Sequence, residues 1–260
     1  MVAVLTAHSG LRPEAKRYIM AGRGVAVDKA GRGDFSTIQD AVDFLAARES
    51  GGLGGGRIWI RNGTYEEAVV VPSGHNNFLL EGESWDTIID GGTIGHALSI
   101  VRADCTVQNI QLKTTAGAGN AYDCLRDTAH DAFASTFTNI YCSESDSSGI
   151  FSYGAHTKII GCYMLSCDGE AVRNASVRCL NLGVTMQSCF NGVYWWDSSA
   201  DHNSTIACHI VSNSNYGVQI GASTENCILV ANKIHSNTTG NVIDSSGTAV
   251  NASNDEDSGS

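Results

Sequence analysis

Proline is nearly missing from this chain, with 2 in 260 residues, whereas glycine occurs 29 times. Scarce proline leaves backbone ladders with few missing donors, and abundant glycine describes many tight turns and few long helices. No apolar run approaches the ~18 residues that a membrane span requires, which predicts no membrane insertion. Met1 to His8 lacks a charged segment leading into a long apolar one, so no signal peptide is expected. Neither a CxxC pair nor a Cys/His zinc spacing occurs, and nine cysteines are an odd count for a disulfide framework. The expectation is reduced, buried thiols, with no metal and no cofactor.

Positive charge is also scarce and unevenly placed. The net charge is −11, yet Met1 to Gly33 hold Arg12, Lys16, Arg17, Arg23, Lys29 and Arg32 against Glu14 and Asp28, giving a head of +4 on a body of −15. A basic head can anchor an acidic body to another surface, although a short charged terminus is commonly just solvated. The acidic body argues against nucleic-acid binding, which needs clustered Lys and Arg to neutralise phosphates.

What the chain does contain is repetition. Ser36 to Ala47 places Ile38, Ala41, Val42 and Leu45 at helical spacing, with Ser36 or Asp34 available as the cap, and predicts an amphipathic helix over 36–50. A strand, Arg57 to Arg61, and an Asn62-Gly63 turn follow. Beyond Val69 the text becomes short β-rich runs between Gly, Ser, Asn and Asp. Aligning Ile206 to Asn213 with its neighbours gives an apolar column of Leu112, Cys142, Met164, Met186, Ile210 and Ile234, spaced by 30, 22, 22, 24 and 24 residues. A second column two residues earlier holds Ile110, Ile140, Cys162, Val184, Cys208 and Asn232, the relation expected within one strand with one buried face. Glycines at Gly149, Gly169, Gly192, Gly217 and Gly240 open a second strand in each period.

Two strands per ~23-residue period with no helix between them point to stacked coils rather than a βαβ barrel. The fold expected is all-β: a single-stranded right-handed parallel β-helix, or solenoid, with an N-terminal amphipathic capping helix that hides the open edge. The domains expected are an arm over 1–24, the β-helix over 25–250 and an acidic disordered tail over 251–260. In such a coil Cys packs in line with Met, Ile and Val as a small hydrophobe.

Gly33-Asp34-Phe35-Ser36-Thr37-Ile38-Gln39-Asp40-Ala41-Val42, together with Arg57-Ile58-Trp59-Ile60 and Asn62-Gly63-Thr64-Tyr65-Glu66-Glu67, resembles the capping helix, first strand and turn of the pectin-lyase-like superfamily. That resemblance covers roughly Val25 to Val250 and implies the fold, while the superfamily spans pectin methylesterases, pectate lyases, polygalacturonases and trimeric bacteriophage tailspikes and virion proteins. The helix approach looks most like that of pectin methylesterases. Their Gln-Asp-Thr-Leu and Asp-Phe-Ile-Phe-Gly are nevertheless absent, as are the Asn-Thr-Asp and Gly-His-Gly of polygalacturonases and the Arg-x-Pro-x-x-Arg of pectate lyases. No catalytic residue of those enzymes has a position here to occupy.

Two clusters offer chemistry of their own. Asp123, Asp127 and His130 form the densest acid–base group; paired carboxylates can hydrolyse a glycosidic bond, but a 30-residue repeat also suggests a loop of solvated charges, which is favoured. Tyr194, Trp196 and Asp197 can stack on and hydrogen-bond to a sugar, with Val193 and Trp195 pointing inward. The outward column at Tyr194 is read as Phe151, Val172, Tyr194, Gln219 and Ile243, an apolar stripe suited to self-association, with Arg173 oddly inward. The reading that follows is a non-enzymatic phage structural protein, made in a host cytoplasm and placed on the virion surface. It would be a homotrimer, attached to capsid or tail proteins by Arg12, Lys16, Arg17 and Arg23, and would bind a polysaccharide. The alternative is a polysaccharide lyase, hydrolase or epimerase acting on an acidic polysaccharide through Asp123, Asp127 and His130.

Overall fold

The computed structural model describes residues 24–47, 55–73, 77–101, 104–115, 121–128, 134–196 and 200–256. These form a right-handed parallel β-helix with one short helix near the N-terminus. Three sheets of ten, nine and eight strands run the length of the coil, and every ladder joins one coil to the next in parallel. The ten-stranded sheet runs from Val25–Val27 to Val250–Ala252, the nine-stranded sheet from Gly63–Tyr65 to Asp255–Glu256, and the eight-stranded sheet from Val69–Val71 to Gly240–Asp244.

The column of Leu112, Cys142, Met164, Met186, Ile210 and Ile234 is one continuous ladder of inward residues at the centre of the nine-stranded sheet. The second column is real as well, but it belongs to a corner. Ile206 to Asn213 is two strands, Ser204–Ile206 and His209–Val211, separated by Ala207 in the left-handed region at φ 52°. The same break recurs at Asn109, Asn139, Gly161, Gly183 and Ala231, and the residue after each one turns inward. A period therefore carries three strands rather than two, because a single left-handed residue bends the chain without the glycine–proline punctuation that marks longer turns.

The inward corner residues also supply hydrogen-bond partners. Asn232 Oδ1 accepts from Cys208 N at 2.9 Å, Asn254 Oδ1 from Asn232 N at 2.8 Å, and Asn213 Oδ1 from Cys189 N at 3.0 Å. Cys162 and Cys208 sulfurs accept in the same way from Ile140 N and Val184 N, each at 3.4 Å. All nine thiols are free and buried. Burial pushes Cys162 and Cys179 up to about 12 and Cys208 and Cys227 up to about 11, so these four remain neutral packing groups.

The helix spans Ile38–Ala47 and buries Ile38, Ala41, Val42, Phe44 and Leu45 over the first coil. Its cap is neither Ser36 nor Asp34 but Thr37, whose Oγ1 accepts from Asp40 N at 3.3 Å, helped by a residue distant in sequence. Both carboxylate oxygens of Glu67, from the bend after the strand Gly63–Tyr65, accept from Ile38 N at 2.8 Å and Gln39 N at 3.0 Å, which suits the positive end of a helix. Asp34 instead accepts from Ala26 N at 2.8 Å. The Gln39 side-chain amide then imitates a strand, accepting from Val70 N at 2.7 Å and donating to Val70 O at 3.1 Å, so the open edge of the eight-stranded sheet is satisfied.

At the other end the coil continues into the region expected to be a disordered tail. Val250–Ala252 pairs with Ile228–Val230, and Asp255–Glu256 with Lys233 and Ile234. Pairing there depends on backbone groups and on Asn254, so a polar sequence suffices. The expected arm, with Arg12, Lys16, Arg17 and Arg23, lies outside the described residues.

Candidate functional site

The eight-stranded sheet differs from its neighbours in parity: its central residue faces outward and its flanking residues face the core. Its outward column is Arg126, Phe151, Arg173, Tyr194, Gln219 and Ile243. Val172 is fully buried in the inward column between Ile150 and Val193, which corrects its assignment to a self-association stripe. Gly169 misled the alignment. It sits in a bend, and the place held by Gly149 and Gly192 in their coils is taken here by Ala171. Arg173, read as inward, therefore points out, which removes the cost of an unpaired cation in the core.

With Val172 replaced by Arg173 the stripe is no longer apolar. The Arg126 guanidinium lies 5.0 Å from the Phe151 ring on one side, and Arg173 lies 4.9 Å from the same ring on the other. Arg173 continues over Tyr194 at 5.9 Å and Trp196 at 4.0 Å. Tyr153 packs on Phe151 with ring centroids 4.5 Å apart. The result is a ladder of cations between aromatic faces, each contact contributing roughly 0.5–1 kcal/mol at an exposed site. Phe151 is covered to 5% exposure, while Trp196 remains 47% exposed and Trp195 is fully buried, as the strand alternation anticipates.

The two cations differ in what they already hold. Arg126 Nη1 is 3.3 Å from Asp123 Oδ2. Arg173 forms no ion pair among the described residues, and its buried Nε has no hydrogen-bond partner there. Burial raises Tyr194 above the usual tyrosine range against the lowering by Arg173, with Glu170 adding the smallest push upward, so its hydroxyl keeps its proton.

Asp123 and Asp127 are each engaged by their own partners. Asp123 is buried, accepts from Ser148 N at 2.9 Å and faces Arg126. Its own N–H donates to His96 Nδ1 at 2.8 Å, and burial holds His96 below the usual histidine range, so the 3.5 Å contact of that ring with the carboxylate is not an ion pair. Asp127 is fully buried on the inward side of the strand Leu125–Asp127, beside Ser152 Oγ at 3.5 Å and Thr157 Oγ1 at 3.4 Å. Both carboxylates are thus built into the strand and its corners, not carried on a solvated loop. His130 and Asp197 lie outside the described residues. Sequence reasoning missed Arg126 and Arg173 as site residues, although an arginine in an inward register was itself the warning.

Other outward surfaces carry different chemistry. Over the nine-stranded sheet Trp85, from the turn before Thr87–Asp90, stacks on Tyr141 and Tyr141 on Tyr163, each with centroids 5.5 Å apart and no cation between them. Further along, His209 and His235 converge; burial, then His235 and Lys233, hold His209 below the usual histidine range. The ten-stranded sheet presents Ile160, Leu182, Ile206 and Val230 in one outward row, while the row beside it mixes Lys158 and Ser204 with Leu180, Ile228 and Val250. The apolar stripe expected around Tyr194 lies there instead.

No protein-family model matches the chain, and no curated protein matches its sequence. Among solved structures it is similar to pectin methylesterase PemA from Erwinia chrysanthemi, with a TM-score of 0.54 and 14% identity over 83% of this chain and 80% of that one. Carrot pectin methylesterase aligns with a TM-score of 0.51 and 19% identity over 91% and 83% of the two chains. The Aspergillus niger enzyme gives 0.51 and 14% over 91% and 86%. Identities this low establish architecture alone, and on that ground the chain is a parallel β-helix of the pectin-lyase-like fold.

Proposed function

We propose that this protein is a non-enzymatic glycan-binding β-helix that holds an anionic carbohydrate along the outward ladder from Arg126 to Trp196. The observation that carries the reading is Arg173, a cation stacked 4.0 Å from a half-exposed tryptophan with no carboxylate paired to it among the described residues. A planar guanidinium suits a carboxylate or sulfate, and exposed aromatic rings suit the C–H faces of a sugar. The buried and engaged positions of Asp123 and Asp127 support binding without hydrolysis. On a virion surface, the setting the sequence suggested, such a face would grip host or capsular sugar while the basic segment with Arg12, Lys16, Arg17 and Arg23 attached the rod to capsid or tail proteins.

Affinity electrophoresis through gels containing acidic or neutral polysaccharides tests the reading. Retardation by a uronate-rich or sulfated polymer, lost in Arg173→Gln and absent with neutral polymers, is expected. Equal mobility in every gel would overturn it, and release of new chain ends from any polymer would replace it with the lyase, hydrolase or epimerase alternative.

A second reading concerns assembly and rests on a separate observation, the apolar outward row of Ile160, Leu182, Ile206 and Val230 on the ten-stranded sheet. A homotrimer would bury Leu182, Ile206 and Val230 there rather than the Tyr194 face, leaving the glycan ladder open. Light scattering after size exclusion should give a trimer that Leu182→Glu with Ile206→Glu reduces to monomer; a monomeric wild type contradicts it.

A further inference from the structure

His209 opens the strand His209–Val211 and His235 closes the strand Lys233–His235 on the next coil, so the two rings meet diagonally across one ladder. Their Nε2 atoms are 3.1 Å apart, with ring centroids at 5.3 Å and planes inclined by 32°. Two imidazole nitrogens bound to one divalent ion at ~2.0–2.1 Å, at an angle of roughly 90–110°, stand ~2.9–3.4 Å from each other. The observed separation matches two cis ligands on one ion as well as a hydrogen bond between the rings. Both rings are half-buried on the outer surface, open to an ion and to its waters.

A second observation concerns the tautomer. His235 Nδ1 lies 3.1 Å from Ser236 Oγ, and when Nδ1 donates to that hydroxyl the lone pair is left on Nε2, the atom aimed at His209. Metal-bound histidines use their other nitrogen in this way. We propose that His209 and His235 form a two-imidazole site for a late first-row divalent cation, Cu(II) ahead of Ni(II) and Zn(II), the order that imidazole donors give. Among the described residues no group of three or more His, Cys, Asp and Glu side chains is placed to hold a metal, so water completes the coordination. The separation of 26 positions explains why no spacing motif announced them; only the coil brings them together. Lys233, beside His209 in the ladder, opposes a cation, so its removal should tighten the site.

The test is calorimetric titration of Cu(II) into the full chain at pH 7.5, with His209→Asn, His235→Asn and Lys233→Gln, all outward positions whose circular dichroism should match the wild type. One saturable site is expected, weakened at least about tenfold in either histidine variant and tightened in Lys233→Gln. The electron paramagnetic resonance spectrum of the Cu(II) form should show two equatorial nitrogens, lost to one in each variant. Wild-type affinity no tighter than that of His209→Asn, or a spectrum unchanged by either histidine substitution, would overturn the site and leave the pair as an imidazole–imidazole hydrogen bond.

Discussion

Two outward faces of the same rod stack aromatic rings at strand spacing, yet they do so with opposite chemistry. On the eight-stranded sheet Arg126 and Arg173 stand on either side of Phe151, and Trp196 and Tyr194 flank Arg173; over the nine-stranded sheet Trp85, Tyr141 and Tyr163 stack with no charge between them. A parallel ladder repeats every ~4.8 Å, so any coil can build an aromatic column at little cost. What distinguishes the first face is an arginine without a partner among the described residues, held rigid by rings on both sides. A charge so placed is pre-organised for an anion, whereas the neutral face already uses its polar tips internally: Trp85 Nε1 donates to Asn139 O at 2.8 Å and Tyr163 OH to Gln187 Oε1 at 2.9 Å.

The comparison breaks most visibly in binding. Arg173→Ala should weaken an anionic oligosaccharide by about ten- to a hundredfold, the worth of a hydrogen bond to a charged group, whereas Tyr163→Ala should leave it unchanged in the same calorimetric titration. Stability offers a second cut. Phe151 is nearly covered by its arginine and tyrosine neighbours, so Phe151→Ala should cost about 2–3 kcal/mol in urea unfolding, against under about 1 kcal/mol for Tyr163→Ala on the more open face. At the N-terminal end, Glu67→Ala should cost about 1 kcal/mol by leaving Ile38 N and Gln39 N uncapped.

The smallest effect is a pH dependence at the ends of the rod. Burial is the largest single influence and raises Asp28 and Asp244, but the opposing contacts together outweigh it and leave both below the ordinary carboxylate value of 3.8. For Asp28 these are Arg32, Ala30 N and Arg61; for Asp244 they are the Ser246 hydroxyl and the Ala249, Gly247 and Ser246 N–H groups. A carboxylate lowered on folding contributes stability above its unfolded value and loses it as pH falls through the folded one. Unfolding midpoints should hold steady near neutrality and drop below about pH 4, and Asp244→Asn should flatten that fall.

The sequence told most where one residue per coil must be apolar. The Leu112-to-Ile234 column was readable because its residues point inward in every coil, and the capping helix because its period is 3.6. Corners were not readable, since Asn, Gly, Ala and Ser all accept the left-handed turn and share no chemical signature. The cap from Glu67 was hidden because its partners lie 29 and 28 residues away. The site itself was half legible: Tyr194 and Trp196 stood out, but Val172 was exchanged for Arg173 by one residue of register, and a slip of one reverses every side chain.

The most direct test of the account is the fluorescence of Trp196 during titration with a uronate oligosaccharide and with its neutral, carboxyl-reduced counterpart, comparing wild type with Trp196→Phe and Arg173→Gln. A saturable change with the acidic sugar alone, absent in both variants, is predicted. An identical response to the neutral sugar, or one that survives Arg173→Gln, would contradict the claim that this ladder recognises an anion.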